Sequence, residues 1–266
     1  MHPYLQVEAP IVMAHRGFSR AGLENTAPAF AAAVALGVTH VETDVHATRD
    51  GALVAFHDGS LDRVTDSTGL IAELSWARVA RARVVGAAAA DAGVPLLEDV
   101  LGSWPDLRVN IDVKDWPAIG PLVDVLRRTS ALHRVCVTSF DDRRTAAVRR
   151  ALGPGLATSP GRRGVTRWRL GSLLPGAVGD RAARLPPRSA VALQVPGSAG
   201  PLRVITRRSV LVAHRQGLQV HAWTINDPAR MRALLDLGVD ALITDRADLA
   251  LDVVRARAAG RASSGP

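Results

Sequence analysis

The chain has very little cysteine and lysine, and both scarcities narrow the classes of protein that fit it. Of its 266 residues, only Cys136 is a cysteine, which excludes an internal disulfide framework and a metal site with several thiolate ligands. Of its 33 basic residues, only Lys114 is a lysine. Because a compact ammonium differs chemically from a planar guanidinium, a functional role for Lys114 is a hypothesis to weigh against chance.

Long apolar runs are also missing. No apolar stretch approaches the roughly 20 residues that a transmembrane helix needs. The first residues, MHPYLQVEAPIVMAHRG, lack the basic segment and apolar stretch of a secretion signal. We therefore expect a cytoplasmic protein with no stable membrane insertion.

Positive charge is abundant, but the features that accompany nucleic-acid binding are lacking. The formal net charge of +8 at pH 7 is compatible with a nucleic acid or an anionic membrane as partner. The arginines, however, are spread along helix-like segments, without an RNA-binding signature, a helix-turn-helix pattern or interleaved aromatic residues. We interpret the charge as a solvated basic surface and expect no nucleic-acid partner.

Short segments rich in Val, Ile and Leu alternate with longer Ala/Leu/Arg segments of helical periodicity, which is typical of strand–helix units and a parallel sheet. Eight predicted strands cover residues 11–15, 39–45, 108–114, 134–140, 155–159, 190–195, 218–224 and 240–245. This number fits a closed (β/α)8 TIM barrel of the α/β class. A doubly wound open sheet is an alternative, although no Gly-rich dinucleotide turn follows the first strand.

Three segments depart from this alternation. Residues 46–95 combine a strand-like piece, a polar turn and a helix-like piece, which predicts a small insertion after the second strand. Residues 160–188 are rich in Gly, Pro and Arg, and we expect them to be loop-prone and partly mobile. We expect one domain over residues 1–256 and a disordered tail over residues 257–266.

Polar residues gather where the predicted strands end. Because side chains alternate between the faces of a strand, Glu42 and Asp44 share one face, and Asp112 and Lys114 repeat this spacing. In a TIM barrel, functional groups lie at the carboxyl ends of the strands. The candidates at these ends are His15, Arg16, Glu42, Asp44, Asp112, Lys114, Gln194 and Trp223.

The three carboxylates in this set are costly neighbours unless a positive charge lies beside them. Glu42, Asp44 and Asp112 offer only oxygen ligands, which suits a hard divalent cation such as Mg²⁺ or Ca²⁺. A structural network of ion pairs, including one between Lys114 and Asp112, is the alternative interpretation.

The basic residues add groups that bind a phosphate and transfer protons. Arg16 and Lys114 beside a bound cation would form a receptor for a phosphate. His15 and His57 are suited to proton transfer near neutral pH. Taken singly, a histidine at a strand end is more often structural, and Trp223 is more often a core residue than a binding wall. The other histidines considered, His40, His46, His214 and His221, lack such neighbours and are left out of the catalytic set.

A series of motifs in fixed order resembles the glycerophosphodiester phosphodiesterase family. The motifs are AHRG (14–17), ENTAPAF (24–30), VETDVHATRDGALVAFHD (41–58), LDRVTDSTG (61–69), PLLEDVL (95–101), NIDVK (110–114), and HAWTIND with LGVDALITD (221–245). The resemblance spans about residues 11–250 and is weakest between 145 and 190. It implies a TIM-barrel enzyme that uses a divalent metal to hydrolyse glycerophosphodiesters to glycerol 3-phosphate and an alcohol.

The resemblance also implies roles for individual residues. It assigns the metal to Glu42, Asp44 and Asp112, acid/base catalysis to His15 and His57, the phosphate to Arg16 and Lys114, and the substrate pocket to Trp223. Many members carry Glu where this chain has Asp112, so the metal ion is the part that the resemblance leaves open.

Two alternatives to this function use the same residues. One is a phospholipase D-type enzyme that acts on lysophospholipid or sphingomyelin. The other is a non-catalytic barrel that binds a phosphate or a lipid headgroup. The segment 46–70 is more similar to bacterial glycerophosphodiesterases, which favours a small-molecule glycerophosphodiester as the substrate. The complete set of histidines, carboxylates and Lys114 favours an enzyme over a binding protein.

Overall fold

The computed structural model describes residues 2–19, 22–85, 92–185, 190–200 and 202–263. The strands are β1 (Ile11–His15), β2 (His40–Ala47), β3 (Leu53–Ala55), β4 (Arg108–Val113), β5 (Val135–Thr138), β6 (Ala157–Thr158), β7 (Ala192–Pro196), β8 (Ser198–Ala199), β9 (Leu202–Arg203), β10 (Gln219–Trp223) and β11 (Ala241–Thr244).

The α-helices of the described residues are α1 (Ala27–Ala35), α2 (Trp76–Val79), α3 (Leu97–Ser103), α4 (Ile119–Arg128), α5 (Asp142–Leu152), α6 (Arg162–Gly171), α7 (Gly176–Ala182), α8 (Arg207–His214), α9 (Pro228–Asp236) and α10 (Ala247–Ser263). Short 3-10 turns lie at Pro3–Leu5, Ile71–Glu73 and Ala131–Arg134. Within these ranges, no helix combines the length and apolar character needed to span a membrane.

Eight parallel strands form a barrel in the order β6-β5-β4-β2-β1-β11-β10-β7. The two ends of this series meet, because the Val191 N–H donates to the Thr158 carbonyl across 2.9 Å. All eight strands expected from the sequence are present. The prediction of a TIM barrel is therefore confirmed, and the open-sheet alternative is wrong.

The inside of the barrel is apolar at the amino ends of its strands. The 3-10 turn Pro3–Leu5 closes this end and buries Tyr4 and Leu5. These two side chains pack in one cluster with Ile11, Met13, Cys136, Ala157, Ala241 and Ile243. A larger apolar layer surrounds the barrel, between the strands and the helices. Because the described residues fill the amino end, the open space inside the barrel lies at the carboxyl ends of the strands.

Two buried histidines at the amino end make the fold sensitive to acid. Burial lowers the pKa of His221 to about 3 and the pKa of His40 to about 4. In the unfolded chain both have pKa values near 6.5, so the unfolded state binds more protons as the pH falls below this value. We expect the free energy of unfolding to decrease on acidification, by up to about 1.4 kcal/mol per pH unit for each histidine.

Urea unfolding of a His221→Gln variant between about pH 6.5 and pH 4.5 tests this linkage. The variant should show a shallower loss of stability with falling pH than the wild type. A matched His133→Gln variant changes an exposed histidine and should keep the wild-type slope. Identical slopes for His221→Gln and the wild type would contradict the expectation.

The segment between β2 and α3 forms an excursion with its own apolar cluster. Strand β3 pairs antiparallel with β2, and the cluster comprises Val54, Phe56, Leu61, Ile71, Val79, Ala82 and Val94. The Phe56 N–H donates to the Asp44 carbonyl across 2.9 Å. This bond places the next residue, His57, at the carboxyl end of β2.

The prediction that residues 160–188 are loop-prone is wrong for most of that segment. Residues 162–171 and 176–182 form α6 and α7, whereas residues 186–188 lie outside the described ranges. Trp168 is fully buried and anchors α6. The Asp142 carboxylate accepts from the backbone N–H groups of Gly161, Arg163 and Gly164, which satisfies the amino end of α6. Tertiary contacts thus outweigh a loop-like composition.

The disordered tail predicted over residues 257–266 overlaps the end of helix α10. Helix α10 continues to Ser263, and residues 264–266 lie outside the described ranges. The sequence RARAAGRAS at its end is rich in Ala and Arg, two residues of high helix propensity. The helix therefore extends beyond the part that packs on the barrel.

Candidate active site

A cavity of about 430 Å³ opens at the carboxyl ends of the barrel strands. All the site residues proposed from the sequence line it: His15, Arg16, Glu42, Asp44, His57, Asp112, Lys114, Gln194 and Trp223. Their convergence follows from strand register, because His15 is the β-partner of Glu42, and Asp44 is the β-partner of Asp112. Side chains at paired positions of neighbouring strands point to the same face.

Lys114 occupies the centre of the polar cluster. Its Nζ lies 2.6 Å from Asp44 Oδ1 and 2.7 Å from Asp112 Oδ2. Burial alone would raise the pKa of Asp44, but the charges of Lys114 and Arg16 outweigh it and lower that pKa. For Asp112, burial outweighs the attraction of Lys114 and raises the pKa. The ion pair considered from the sequence is therefore present, and it faces the cavity.

Arg16 reaches the cavity through a sharp turn after β1. Its own φ is 54°, and the φ of Gly17 is 79°. A Cβ on Gly17 would lie 2.8 Å from the backbone of Ala29, so both the conformation and the space require glycine. The turn brings the Arg16 N–H to 3.2 Å from Glu42 Oε2 and the Arg16 Nε to 3.2 Å from Asp44 Oδ2.

His15, at the end of β1, is oriented by the carboxylate of Asp245, which follows the neighbouring strand β11. Its Nδ1 lies 2.6 Å from Asp245 Oδ1, and its Nε2 lies 3.8 Å from Glu42 Oε2. Asn226 donates to the second oxygen of Asp245 across 2.7 Å. Burial lowers the pKa of His15, but the hydrogen bond to Asp245 and the charge of Glu42 outweigh it, so the pKa is raised.

His57 is oriented in the same manner by its neighbour in the chain. Its Nδ1 lies 2.6 Å from Asp58 Oδ1, and Asp58 in turn accepts from the Arg63 Nε. The hydrogen bond from Arg63 lowers the pKa of Asp58 to about 2, so this carboxylate is charged near neutral pH. With Nδ1 on a carboxylate, each histidine keeps its Nε2 for a ligand.

Two of the histidines left out of the catalytic set have structural roles near the site or at the surface. His46 Nδ1 lies 2.6 Å from Asp115, and its Nε2 lies 3.1 Å from the carbonyl oxygen of His57. His46 thus fixes the backbone of His57. His214 pairs with Asp240 across 2.8 Å, away from the cavity.

Gln194 and Trp223 lie on the opposite wall. The Gln194 amide exchanges two hydrogen bonds with Asn110, of 2.7 and 3.0 Å. Trp223 meets the exposed ring of Phe140 edge to face, with ring centroids 5.9 Å apart. Both predicted residues therefore border the space where a substrate would lie, beside two residues that the sequence interpretation did not include.

The sequence interpretation also missed the supporting carboxylates, although signals for two of them exist. Asp245 ends the last predicted strand, in the motif LITD, and Asp58 follows His57 directly. Glu24, the third, accepts from both Arg16 and Arg63, with distances of 3.0 and 2.6 Å. It lies in the loop after β1, where no strand or helix pattern marks a functional residue, although it begins the motif ENTAPAF.

The carboxylate oxygens of Glu42 and Asp112 have the chemistry of ligands for a cation. Asp112 Oδ1 is buried without a hydrogen-bond partner. Burial, together with repulsion from Asp44, raises the pKa of Glu42 to about 8. A cation beside these oxygens would relieve both effects. In the described part of the chain, however, no three His, Cys, Asp or Glu side chains have the spacing of a formed metal site, and Lys114 lies between Asp44 and Asp112.

Two imidazoles held by carboxylates lie beside a half-buried ammonium at the carboxyl end of a barrel. These groups are typical of a hydrolase that cleaves phosphate esters. Comparison with known proteins agrees with this class. The sequence profile of the glycerophosphoryl diester phosphodiesterase family matches residues 15–249, and the chain belongs to this family of enzymes. The resemblance of its ordered motifs is thereby confirmed.

Individual relatives extend over nearly the whole chain. It is 41% identical over 256 residues to "Probable glycerophosphodiester phosphodiesterase 2" of Mycobacterium tuberculosis, covering 96% of this chain and 94% of the relative. A solved phosphodiesterase from Oleispira antarctica, in complex with the product sn-glycerol-3-phosphate, is 25% identical, with a TM-score of 0.74 and coverage of 93% and 97%. The phosphodiesterase domain of a further Mycobacterium tuberculosis protein shares the fold, with 23% identity, a TM-score of 0.75 and coverage of 93% and 100%.

Proposed function

We propose that this chain hydrolyses glycerophosphodiesters to glycerol 3-phosphate and an alcohol, in one barrel domain over residues 1–256. One observation carries the proposal: His15 and His57 line the cavity that holds Lys114, and each has its Nδ1 on a carboxylate. Family membership supports the reaction class, and the solved relative from Oleispira antarctica holds the same product.

The basic side chains would bind the phosphate. A phosphodiester is an anion, and negative charge on its oxygens increases as the nucleophile attacks. Lys114 is the compact positive charge at the centre of the cluster, and Arg16 adds donors at its edge. Gln194 and Trp223 would contact the organic part of the substrate.

The two histidines would move the protons. One Nε2 accepts a proton from the nucleophile, and the other donates a proton to the departing alkoxide. Attack by water gives glycerol 3-phosphate directly, whereas attack by the glycerol hydroxyl next to the phosphoester gives a cyclic phosphate that water then opens to glycerol 3-phosphate. Asp245 and Asp58 hold the two rings in place through their Nδ1 atoms. Such positioning is the main contribution of a carboxylate behind a catalytic imidazole.

Glu42, Asp44 and Asp112 would hold a divalent cation, Mg²⁺ or Ca²⁺. The orphaned oxygen of Asp112 and the raised pKa of Glu42 support this assignment. When bound, the cation supplies further positive charge to the phosphate. Many family members carry Glu where this chain has Asp112. The shorter side chain of Asp112 would affect which ion the site prefers.

A coupled assay for glycerol 3-phosphate tests the proposed function. The wild type should release it from glycerophosphocholine and from glycerophosphoglycerol, and a chelator such as EDTA should lower the rate. Lysophosphatidylcholine, assayed in parallel by choline release, tests the phospholipase D-type alternative. A His15→Ala/His57→Ala double variant is the background control. Exclusive turnover of the lysolipid would overturn the choice of substrate, and binding without turnover would favour the non-catalytic alternative.

A further inference from the structure

The mouth of the cavity differs in character from its polar floor. Its wall is formed by apolar residues from several strands, a helix and a loop, among them Phe140, Val165, Pro196, Ala199 and Trp223. Within the described lining of this outer part, Arg162 is the residue that carries a charge. When the phosphate of a substrate lies against Lys114, the part of the substrate that extends toward solvent must lie along this wall.

Arg162 is held at the mouth by the backbone and by an aromatic ring. It is the first residue of α6, and its N–H donates to the Phe140 carbonyl across 3.0 Å. Its guanidinium carbon lies 5.1 Å from the centroid of the Phe140 ring. The nearest acidic residue of α5, Asp142, is engaged with the backbone N–H groups at the start of α6. Among the described residues, Arg162 forms no ion pair. Two other exposed arginines, Arg143 and Arg215, do form ion pairs.

The two cations near Phe140 alter what its ring can bind. An aromatic ring at the mouth of a pocket would attract a quaternary ammonium through its π face. Here Arg162 lies over the ring, and Lys114 Nζ lies 6.0 Å from the same centroid. A cationic group entering the mouth would meet like charge, whereas an anionic group would meet an unpaired guanidinium.

From this arrangement we propose that Arg162 determines specificity, by selecting diesters with an anionic alcohol over diesters with a cationic alcohol. The inference rests on the proposed function and narrows its substrate class. The alcohol that Arg162 favours carries a carboxylate or a further phosphate, and the alcohol that it disfavours carries an ammonium. Because the side chain is exposed, the preference is moderate and decreases with salt.

The test compares kcat/KM for three diesters of different charge. Glycerophosphocholine has a cationic alcohol, glycerophosphoglycerol a neutral one, and bis(glycerophospho)glycerol an anionic one. The wild type should prefer the anionic over the cationic diester. Arg162→Ala should reduce this ratio by about three- to tenfold, and Arg162→Glu should reduce it further. Arg162→Lys should restore much of the preference, because it keeps the charge.

The adjacent Arg163 provides the matched control. It is exposed and belongs to the same turn of α6, but it does not line the cavity. Arg163→Glu makes the same change in net charge and should leave the ratio as in the wild type. An effect of Arg162→Glu no larger than that of Arg163→Glu would overturn the inference, and so would a wild-type preference for glycerophosphocholine.

Failure of the proposed function gives a different result. In that case none of the three diesters releases glycerol 3-phosphate. The affinities of the same diesters for the wild type and for Arg162→Glu are then measured by calorimetry. They test the role of Arg162 independently of catalysis. A loss of preference for the anionic diester in the variant supports the inference, and equal relative affinities overturn it.

Discussion

Alanine at His57, or at His15, should lower the rate of glycerol 3-phosphate release by about 10²- to 10⁴-fold, the range for loss of a general acid or base. Each imidazole has its Nδ1 on a carboxylate, at 2.6 Å, and both histidines line the cavity. Removal of either ring leaves one proton without a donor or an acceptor. The loss should appear mainly in kcat, because the phosphate contacts of Lys114 and Arg16 remain.

The control for this prediction is His133→Ala. His133 is exposed and lies away from the cavity, so its removal should leave the rate unchanged. Circular dichroism and the urea midpoint should show that the His15 and His57 variants remain folded. A wild-type rate in either variant would remove that histidine from the mechanism.

Replacement of Lys114 by glutamine should damage both stability and activity. It removes the charge between Asp44 and Asp112, whose side chains are only 3% and 10% exposed. Breaking a buried ion pair on one side costs about 3–5 kcal/mol. The variant also lacks the central phosphate charge, so its kcat/KM should decrease by about 10²-fold or more.

The destabilisation by Lys114→Gln should depend on pH in a defined direction. Without the ammonium, the pKa of Asp44 rises and the pKa of Asp112, which is already raised, rises further, so the folded variant binds more protons than the folded wild type as the pH falls. The stability lost by the variant is therefore smaller at about pH 5 than at about pH 8. Urea unfolding of both proteins at the two pH values measures the difference.

Lys114→Arg separates charge from shape. It keeps the positive charge, so its stability should lie closer to that of the wild type, but a planar fork does not fit a site built for a compact ammonium, and the rate should decrease. An unchanged rate would show that only the charge matters. A Lys114→Gln variant as stable as the wild type at pH 8 would contradict the role of Lys114 as the counter-charge.

The predicted strands and the candidate site residues share one physical basis. In a barrel, every strand is buried on both faces and its carboxyl end faces the cavity, so a Val- and Ile-rich segment that ends in Glu42, Asp44 or Asp112 marks both fold and site. Asp245 also ends a predicted strand, but its contact with His15 could not be predicted from this pattern. It lies 230 residues from His15 in sequence, and only the pairing of β1 with β11 brings the two together.

The errors of the sequence interpretation have a different origin. Residues 160–188 contain many Gly and Pro residues, which are typical of loops, but the burial of Trp168 and the cap from Asp142 depend on contacts with distant elements. Phe140 ends the predicted strand 134–140 but lies in the connection after β5, and Arg162 lies after β6, outside any predicted strand. Local propensity carries no information about such tertiary contacts.

Glu24 couples two halves of the pocket that belong to different segments of the chain. Its Oε1 is the common acceptor of Arg16, on the phosphate side, and of Arg63, which holds Asp58 behind His57. A displacement of the excursion after β2 would therefore alter the anion-binding and proton-transfer groups together.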